Sequence, residues 1–243
     1  WKRKRKCTSQ EDHSFSIESL QKVCTDYISE PHSKTKINRT TRATGGFSVI
    51  YLASERRSGS QVILKHINTN RSNVREIAER EIKLLKGLRH KNVVNILQSS
   101  VSSRHVDIVL EYCRGGDLWN YVKSRSGRPF REKDVLNCFA DACAAVAHMH
   151  EKNIAHWDIK MDNILRASDG TFKLCDFGSC QRARLPCENR SDFNRVEELV
   201  QKYTSPIYRA PEMIVILNNS IGVYELTEKV DVWALGCVLY SVA

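Results

Sequence analysis

Two short motifs, HWDIKMDN and LCDFG, constrain this chain more than any other feature of its sequence. They occur in that order and are joined by LRASDGTFKL, a segment typical of a β-hairpin. Phosphoryl transfer needs a carboxylate that orients the attacking hydroxyl and accepts its proton, and metal ions that neutralise the phosphates. Asp158 suits the first role, and the oxygen atoms of Asn163 and Asp176 are ligands that Mg²⁺ prefers. Lys160 is placed to hold the moving phosphate. Each residue alone could simply be a loop residue that caps a helix, but both motifs together indicate phosphoryl transfer.

A lysine and a glutamate earlier in the chain point to the same chemistry. Lys65 ends an apolar strand pattern, QVILK, and Glu81 lies in the helical pattern NVREIAEREIKLLKGL. Glu81 is four residues from both Ile77 and Leu85, so it shares the apolar face of that helix. A buried carboxylate needs a cationic partner, which a lysine from the neighbouring sheet would supply. We therefore predict an ion pair between Lys65 and Glu81.

The segment ATGGFSVI precedes these residues and places two glycines at a turn before a strand. Such a hairpin can fold its backbone N–H groups over phosphate oxygens, because glycine permits close approach. Two glycines in a hairpin usually mark no more than a tight turn. The segment alone therefore leaves both interpretations open.

The composition is that of a soluble globular protein, with 41% hydrophobic and 27% charged residues among 243. Nine cysteines follow no metal-binding spacing, and their odd number without a signal peptide favours reduced thiols in the cytosol or nucleus. We expect a cytoplasmic location. No run approaches the ~20 apolar residues that a membrane helix needs. The net charge of +10 includes five basic residues in WKRKRK at the start, which suggest contact with acidic lipid, nucleic acid or an import receptor, or else a solvated tail.

Taken in order, these motifs resemble those of the eukaryotic protein kinases from Lys36 to the end of the chain. The series continues through EYCRGGDL, YRAPE and DVWALG, and together the pieces are highly specific. The resemblance implies an α+β, two-lobed kinase fold. It divides the chain into a basic, poorly ordered lead-in at 1–35, a β-rich N-lobe at 36–112 and a mostly helical C-lobe at 113–243 that stops after its central helix. It also implies that the protein uses ATP and Mg²⁺.

The resemblance assigns roles to individual residues. The catalytic and metal-binding set is Asp158 as the base, Lys160 on the γ-phosphate, Lys65 held by Glu81 on the α- and β-phosphates, and Asn163 and Asp176 as metal ligands. The ATP-binding set is Ala43, Thr44, Gly45, Gly46, Phe47, Ser48, Ile50, Ile63, Lys65, Leu110, Glu111, Cys113, Asp117 and Leu165. Leu110 would be the gatekeeper, Asp117 the ribose contact and Leu165 the adenine floor. Asp231 would brace the catalytic loop from the helix below.

The chain is most similar to the Numb-associated kinases, which include the adaptor-associated and cyclin-G-associated kinases. The likeness rests on GGFS, on VEELVQKYTSPIYRAPEM, and on the 14 residues 213–226, which would build an extra helix. Lys160 fits serine/threonine rather than tyrosine specificity. The subfamily implies threonines on clathrin-adaptor subunits as substrates. We expect a monomer that acts on Ser/Thr-bearing proteins, has no nucleic-acid partner, and contacts membranes peripherally through its basic start.

Two residues depart from the kinase pattern where it bears on activity. Trp157 stands where most kinases carry the arginine that pairs with a phosphorylated residue of the activation segment. Losing that arginine removes a switch, and the tryptophan is expected to pack against the segment instead. Ile63 replaces the usual alanine beside adenine, so ATP binding should be weaker. Ser205 lies where many kinases are phosphorylated, and without the arginine its replacement by alanine is expected to change activity little.

The sequence therefore favours a working serine/threonine kinase that activation-loop phosphorylation does not switch. Trp157 and Ile63 keep open a pseudokinase, which would serve as a nucleotide-binding or scaffold module without turnover. The basic start keeps open a receptor kinase with an ectodomain upstream. Because the chain stops inside DVWALGCVLYSVA, which kinases bury, the 243 residues are expected to be a fragment that exposes apolar surface and aggregates.

Overall fold

The structure, a computed structural model, describes residues 27–29, 48–55, 58–70, 72–125, 130–218 and 225–242. The strands are β1 (Tyr27–Ser29), β2 (Ser48–Glu55), β3 (Gln61–Asn68), β4 (Ile96–Val101), β5 (His105–Glu111), β6 (Ile154–Ala155), β7 (Ile164–Arg166), β8 (Phe172–Leu174), β9 (Gln181–Arg182), β10 (Leu185–Pro186) and β11 (Glu225–Leu226). The helices are α1 (Ser72–Gly87), α2 (Leu118–Ser124), α3 (Glu132–His150), α4 (Arg190–Tyr203), α5 (Pro211–Leu217) and α6 (Lys229–Val242). Short 3₁₀ turns lie at Met161–Asn163, Phe177–Ser179 and Pro206–Tyr208.

A five-stranded antiparallel sheet forms the first lobe, in the order β1–β2–β3–β5–β4. Its strands are rich in valine and isoleucine, whose branched side chains pack well on a pleated surface. The strand β3 is central, and Lys65 on it pairs with Ile50 of β2 and Ile108 of β5. Backbone ladders on both sides therefore fix the position from which the Lys65 side chain enters the cleft.

The strand β1 differs from what the sequence predicted. Tyr27–Ser29 was assigned to the lead-in, but it pairs with residues 53–55 of β2. An outer strand such as β2 presents unpaired N–H and C=O groups, and an added strand satisfies them. The remainder of 1–35 lies outside the described residues.

The helix α1 packs one face against this sheet. Ala78, Ile82 and Leu85 are buried at helical spacing, whereas the face that carries Lys83 is exposed. Glu81 lies within the buried stripe and is only 4% exposed. The helix predicted from NVREIAEREIKLLKGL is confirmed.

The second lobe is mostly helical and shares a hydrophobic core with the first. One cluster contains Leu85 of α1 and Ile108 of β5 from the first lobe. From the second lobe it contains Met149 of α3, Val238 of α6 and Phe177 of a 3₁₀ turn. Because this core is continuous, the lobes meet in a defined cleft, and residues from both reach it. The predicted α+β architecture, with a strand-rich lobe followed by a helical one, is confirmed. The exact boundaries after residues 35 and 112 stay predictions.

The segment 213–226, which was expected to build an extra helix, is described only at its two ends. The helix α5 ends at Leu217, and Glu225–Leu226 is a strand that pairs with β10. Residues 219–224 lie outside the described part. Thr227 lies at the start of α6, where its Oγ1 accepts a hydrogen bond from Lys229 N at 3.3 Å. Among the described helices, none is long and apolar enough to cross a membrane.

Candidate active site

Lys65 is the buried cation of the cleft. Its Nζ lies 2.7 and 2.9 Å from the two carboxylate oxygens of Glu81 and 3.3 Å from Oδ1 of Asp176. Burial by itself would lower the pKa of Lys65, but the two carboxylates outweigh it and raise that pKa above its ordinary value. Lys65 therefore carries its charge at neutral pH. The ion pair with Glu81 predicted from the sequence is present.

The carboxylate of Asp158 is held on both oxygens. Lys160 Nζ lies 2.5 Å from Oδ2, and Asn163 donates its Nδ2 to the same oxygen at 3.2 Å. Asn163 Nδ2 also donates to the main-chain oxygen of Asp158 at 2.8 Å. On the other side, Ser205 Oγ donates to Oδ1 at 2.7 Å. Charge-assisted bonds of this kind in a nearly dry site are stronger than neutral ones, so the carboxylate has one fixed orientation.

The backbone of the catalytic loop is braced from α6. The buried carboxylate of Asp231 accepts hydrogen bonds from His156 N at 2.7 Å and from Trp157 N at 2.9 Å. Trp157 has a φ of +68°, in the left-handed region that is unfavourable for a bulky residue. The two bonds offset that strain and turn the next residue, Asp158, toward the cleft. The predicted role of Asp231 as a brace is present in these contacts.

The indole of Trp157 is buried in a second apolar cluster and is only 5% exposed. We call residues 176–212 the activation segment. It contributes most of the cluster around the indole: Leu185, Cys187, Phe193, Val196, Val200, Tyr203 and Ala210. The predicted packing of Trp157 against this segment is therefore present. Apolar contact replaces the charge that an arginine would bring to this place.

Asp176 is the acidic residue of the LCDFG motif, and its environment favours the charged form. Burial would raise its pKa, but the positive charges of Lys65 and Lys160 and a hydrogen bond from Lys65 hold that pKa below its ordinary value. Phe177 is buried behind it, with its ring edge-on to that of His156 at 5.5 Å between centroids. Asp176 is thus an ionised carboxylate held beside the buried Lys65.

Asn163 and Asp176 lie on neighbouring backbone segments, because Cys175 N donates to Asn163 O at 2.9 Å. The amide nitrogen of Asn163 faces Asp158, which leaves its amide oxygen as the ligand atom. In the part of the chain that the structure describes, no three His, Cys, Asp or Glu side chains cluster into a metal site. Mg²⁺ commonly takes one or two protein oxygens and completes its shell with water and substrate phosphates. The pair fits that pattern.

The adenine side of the cleft joins β3, β5 and β7. Ile63 faces Leu110 across the β3–β5 ladder, and both side chains are half-buried. The stretch EYCRGGDL, residues 111–118, is the hinge that joins the two lobes in the kinase resemblance. A Cβ on Gly115 would lie 2.6 Å from the main-chain oxygen of Arg166, so only glycine lets the hinge approach β7 this closely. Gly115 N donates to that oxygen at 2.9 Å. These contacts hold the hinge beside Leu165, the predicted floor.

Three predicted hinge residues have surroundings of their own. Glu111 forms an ion pair with Lys173 at 2.8 Å. Asp117 is buried and accepts a hydrogen bond from Asn120 N at 2.7 Å, which caps α2. Burial raises the pKa of the Cys113 thiol to about 12, so it is neutral. Asp117 therefore has a structural contact in addition to the predicted ribose contact.

The remaining predicted ATP-binding residues belong to the first hairpin. Ser48 and Ile50 lie on β2 and are half-buried. Residues 43–47, which include the two glycines, lie outside the described residues. Their role over the phosphates stays a prediction.

Ser205 has a contact in the site that sequence reasoning did not predict. It was treated as a phosphorylation position, yet its Oγ donates to Asp158 and accepts a hydrogen bond from Lys160 Nζ at 3.0 Å. We therefore expect its replacement by alanine to lower activity, contrary to the expectation from sequence. The only signal was a hydroxyl just before Pro206 in YTSPIYRAPEM, and that pattern does not reveal a contact 47 residues away.

Comparison with known proteins agrees with this geometry. The family model of the protein kinase domain matches residues 43–243. A probable serine/threonine-protein kinase of Dictyostelium discoideum is 34% identical over 209 residues, which cover 82% of this chain and 18% of that protein. The serine/threonine-protein kinase ppk30 of Schizosaccharomyces pombe is 33% identical over 236 residues, which cover 90% of this chain and 24% of that protein. The serine/threonine-protein kinase Nek1 of Mus musculus is 34% identical over 200 residues, which cover 81% of this chain and 15% of that protein.

The chain therefore spans at most 24% of the length of these relatives. All three are named as serine/threonine kinases. The names do not identify the Numb-associated subfamily that the sequence suggested.

Proposed function

Because this chain belongs to the protein kinase family, we propose that it is a working enzyme that transfers the γ-phosphate of ATP to serine and threonine hydroxyls of proteins. One observation carries the proposal. The carboxylate of Asp158 is oriented by Lys160, Asn163 and Ser205 in the cleft that also holds the Lys65–Glu81 ion pair. A chain that had lost turnover would have no need to keep this set together.

In the proposed reaction, the oxygen of the substrate hydroxyl forms a bond to the γ-phosphorus, and Asp158 accepts the proton of that hydroxyl. The bond from that phosphorus to the bridging oxygen breaks, and ADP leaves with its electron pair. Lys160 steadies the transferred group, and Lys65 positions the α- and β-phosphates. Asn163 and Asp176 would hold Mg²⁺, which neutralises phosphate charge when bound. Since the protein groups are already in place, catalysis is mainly positioning and electrostatics.

We also propose that phosphorylation of the activation segment does not switch this kinase. A phosphate orders such a segment by pairing with arginine next to the catalytic aspartate. Here the equivalent residue, Trp157, is buried among apolar side chains of the same segment. A phosphate has no cation to meet at that position, and the apolar contacts support an ordered segment without one.

The finer assignments rest on the sequence likeness. Lys160 in the catalytic loop supports serine/threonine specificity. The subfamily likeness supports clathrin-adaptor subunits as substrates, and the basic start supports peripheral membrane contact by a cytoplasmic monomer. Each of these is part of the proposal.

The test is transfer of radiolabelled phosphate from ATP to a mixed serine/threonine peptide pool. Wild type, Asp158→Ala and the matched control Asp134→Ala are compared; Asp134 is a surface aspartate paired with Arg131 at 2.9 Å. We expect transfer by wild type and control and a loss of at least about 1,000-fold in Asp158→Ala. A wild type that binds ATP without transfer would be a pseudokinase. The half-buried Ile63 beside the adenine side would then be a first place to look for the cause.

A further inference from the structure

Ser205, whose hydroxyl contacts Asp158, follows a residue that has contacts of its own. Thr204 lies between the end of α4 and the 3₁₀ turn Pro206–Tyr208. Its Oγ1 donates to Val200 O at 2.6 Å, which ties it to the last turn of α4. A tie on one side leaves the peptide that leads to Ser205 free to rotate, so a second constraint is needed.

Arg209 supplies a second constraint from the far side of the turn. Its Nε donates to Thr204 Oγ1 at 2.7 Å, and its Nη2 donates to Thr204 O at 3.3 Å. A planar guanidinium that grips the side chain and the carbonyl of one residue fixes the rotation of that residue's peptide. The carbonyl of Thr204 belongs to the peptide that leads into Ser205.

The surroundings of Arg209 suit this use. Its side chain is partly buried, and among the residues that the structure describes no carboxylate lies within ion-pair distance of it. A cation in such a place usually has an acidic partner. Here the guanidinium is directed to neutral acceptors on one residue of the activation segment.

We propose that Arg209 is a positioning residue for the transfer reaction. By clamping Thr204, it holds Ser205 so that Ser205 Oγ donates to Oδ1 of Asp158 while Lys160 and Asn163 hold Oδ2. The inference rests on the proposed function, because it concerns the orientation of the catalytic base. Arg209 acts from within the activation segment. The chain therefore orients its base without a phosphate that pairs with residue 157.

The experiment compares steady-state transfer by wild type, Arg209→Met, Thr204→Val, Thr204→Ser and the double variant Arg209→Met/Thr204→Val. Thr204→Val keeps the side-chain volume but removes the acceptor, whereas Thr204→Ser keeps the hydroxyl. Arg195→Met is the matched control, since Arg195 on α4 is exposed and pairs with Asp192. ATP binding and melting temperature are measured for every variant.

We expect Arg209→Met and Thr204→Val each to lower kcat on the order of 10-fold to 100-fold, with KM for ATP unchanged. The loss of kcat in the double variant should be no larger than that of the more affected single variant, because both substitutions break the same contact. Thr204→Ser should keep most of the wild-type kcat. If Arg209→Met does not fold, Thr204→Val and Thr204→Ser carry the test alone.

Wild-type kcat in Thr204→Val, or losses that multiply in the double variant, would overturn the inference and leave the proposed function standing. A loss confined to melting temperature would also overturn it, since that is the result of a purely structural contact. A wild type without transfer would instead overturn the proposed function and the inference with it.

Discussion

The main-chain nitrogen of Trp157 donates a hydrogen bond to Oδ1 of Asp231 at 2.9 Å. This bond joins Trp157 of the catalytic loop to the buried carboxylate of Asp231 on α6 through the tryptophan backbone, not through its side chain. The position of the loop is therefore independent of whether residue 157 is arginine or tryptophan. Replacement of the arginine changes what the activation segment packs against and leaves Asp158 in place.

Replacing Asp231 should therefore damage stability as well as activity. Asp231→Ala leaves the buried N–H groups of His156 and Trp157 without an acceptor, and we expect the free energy of unfolding to fall by about 3 kcal/mol. Asp231→Asn keeps one acceptor oxygen and should lose about half of that. Denaturant unfolding followed by fluorescence measures both. A loss below about 1 kcal/mol in Asp231→Ala would show that α6 does not brace the loop.

Trp157 should stabilise the activation segment by apolar packing. Trp157→Ala removes a buried indole, and we expect unfolding to become easier by about 3–5 kcal/mol. Trp157→Phe keeps an aromatic ring and should cost less. The measurement is equilibrium unfolding combined with limited proteolysis between residues 185 and 203. If Trp157→Ala is cleaved there no faster than wild type, the packing does not order the segment.

Lys65 should matter more than its single charge suggests. Lys65→Met removes the phosphate contact and leaves the carboxylates of Glu81 and Asp176 facing each other in a buried site. We expect kcat to fall by about 100-fold or more. Glu81→Gln keeps a hydrogen-bond acceptor for Lys65 and should lose less. Single-turnover transfer measures the effect, and full activity in Lys65→Met would refute the assigned role.

Stability should fall in mild acid because of His90. Its ring stacks on that of His148 at 4.9 Å between centroids. Burial, with the positive charges of His148 and Lys91, lowers the pKa of His90 below its ordinary 6.5, although Glu151 and Asp141 oppose the shift. The unfolded chain therefore binds a proton more readily than the folded one, so stability is complete above pH 6.5 and decreases as the pH falls below it.

The check is the melting temperature of wild type and His90→Asn between pH 5.5 and 7.5, a window chosen around the ordinary pKa of His90. We expect the melting temperature of His90→Asn to fall less on acidification than that of wild type. Parallel curves would mean that other groups carry the acid dependence.

The sequence predicted those parts of the site that depend on local periodicity. Glu81 stood on the buried stripe of a clear helix, which required a cation and so led to Lys65. Trp157 was expected to pack on the activation segment because it stands where the kinase resemblance places the arginine that contacts that segment. The mostly helical second lobe was expected from the kinase resemblance.

Two contacts that depend on chain reversal, that of Ser205 with Asp158 and that of β1 with β2, were not predicted. Ser205 meets Asp158 only after α4 and the turn at Pro206 bring the chain back, and no local pattern encodes that path. The strand Tyr27–Ser29 was missed for a similar reason, since it forms by pairing with the edge of β2, which is distant in sequence. The extra helix expected in 213–226 stays a prediction, because only the end of α5 and the strand β11 of that segment are described.

The most direct test of the account is transfer by protein that carries no phosphate. The full chain is treated with a broad-specificity phosphatase, its dephosphorylation is verified by mass spectrometry, and the phosphatase is removed before kcat is measured on the serine/threonine peptide pool. If Trp157 holds the activation segment by packing alone, kcat should match that of untreated protein within about twofold. A fall of about tenfold or more that returns on rephosphorylation would show that a phosphate still switches this kinase.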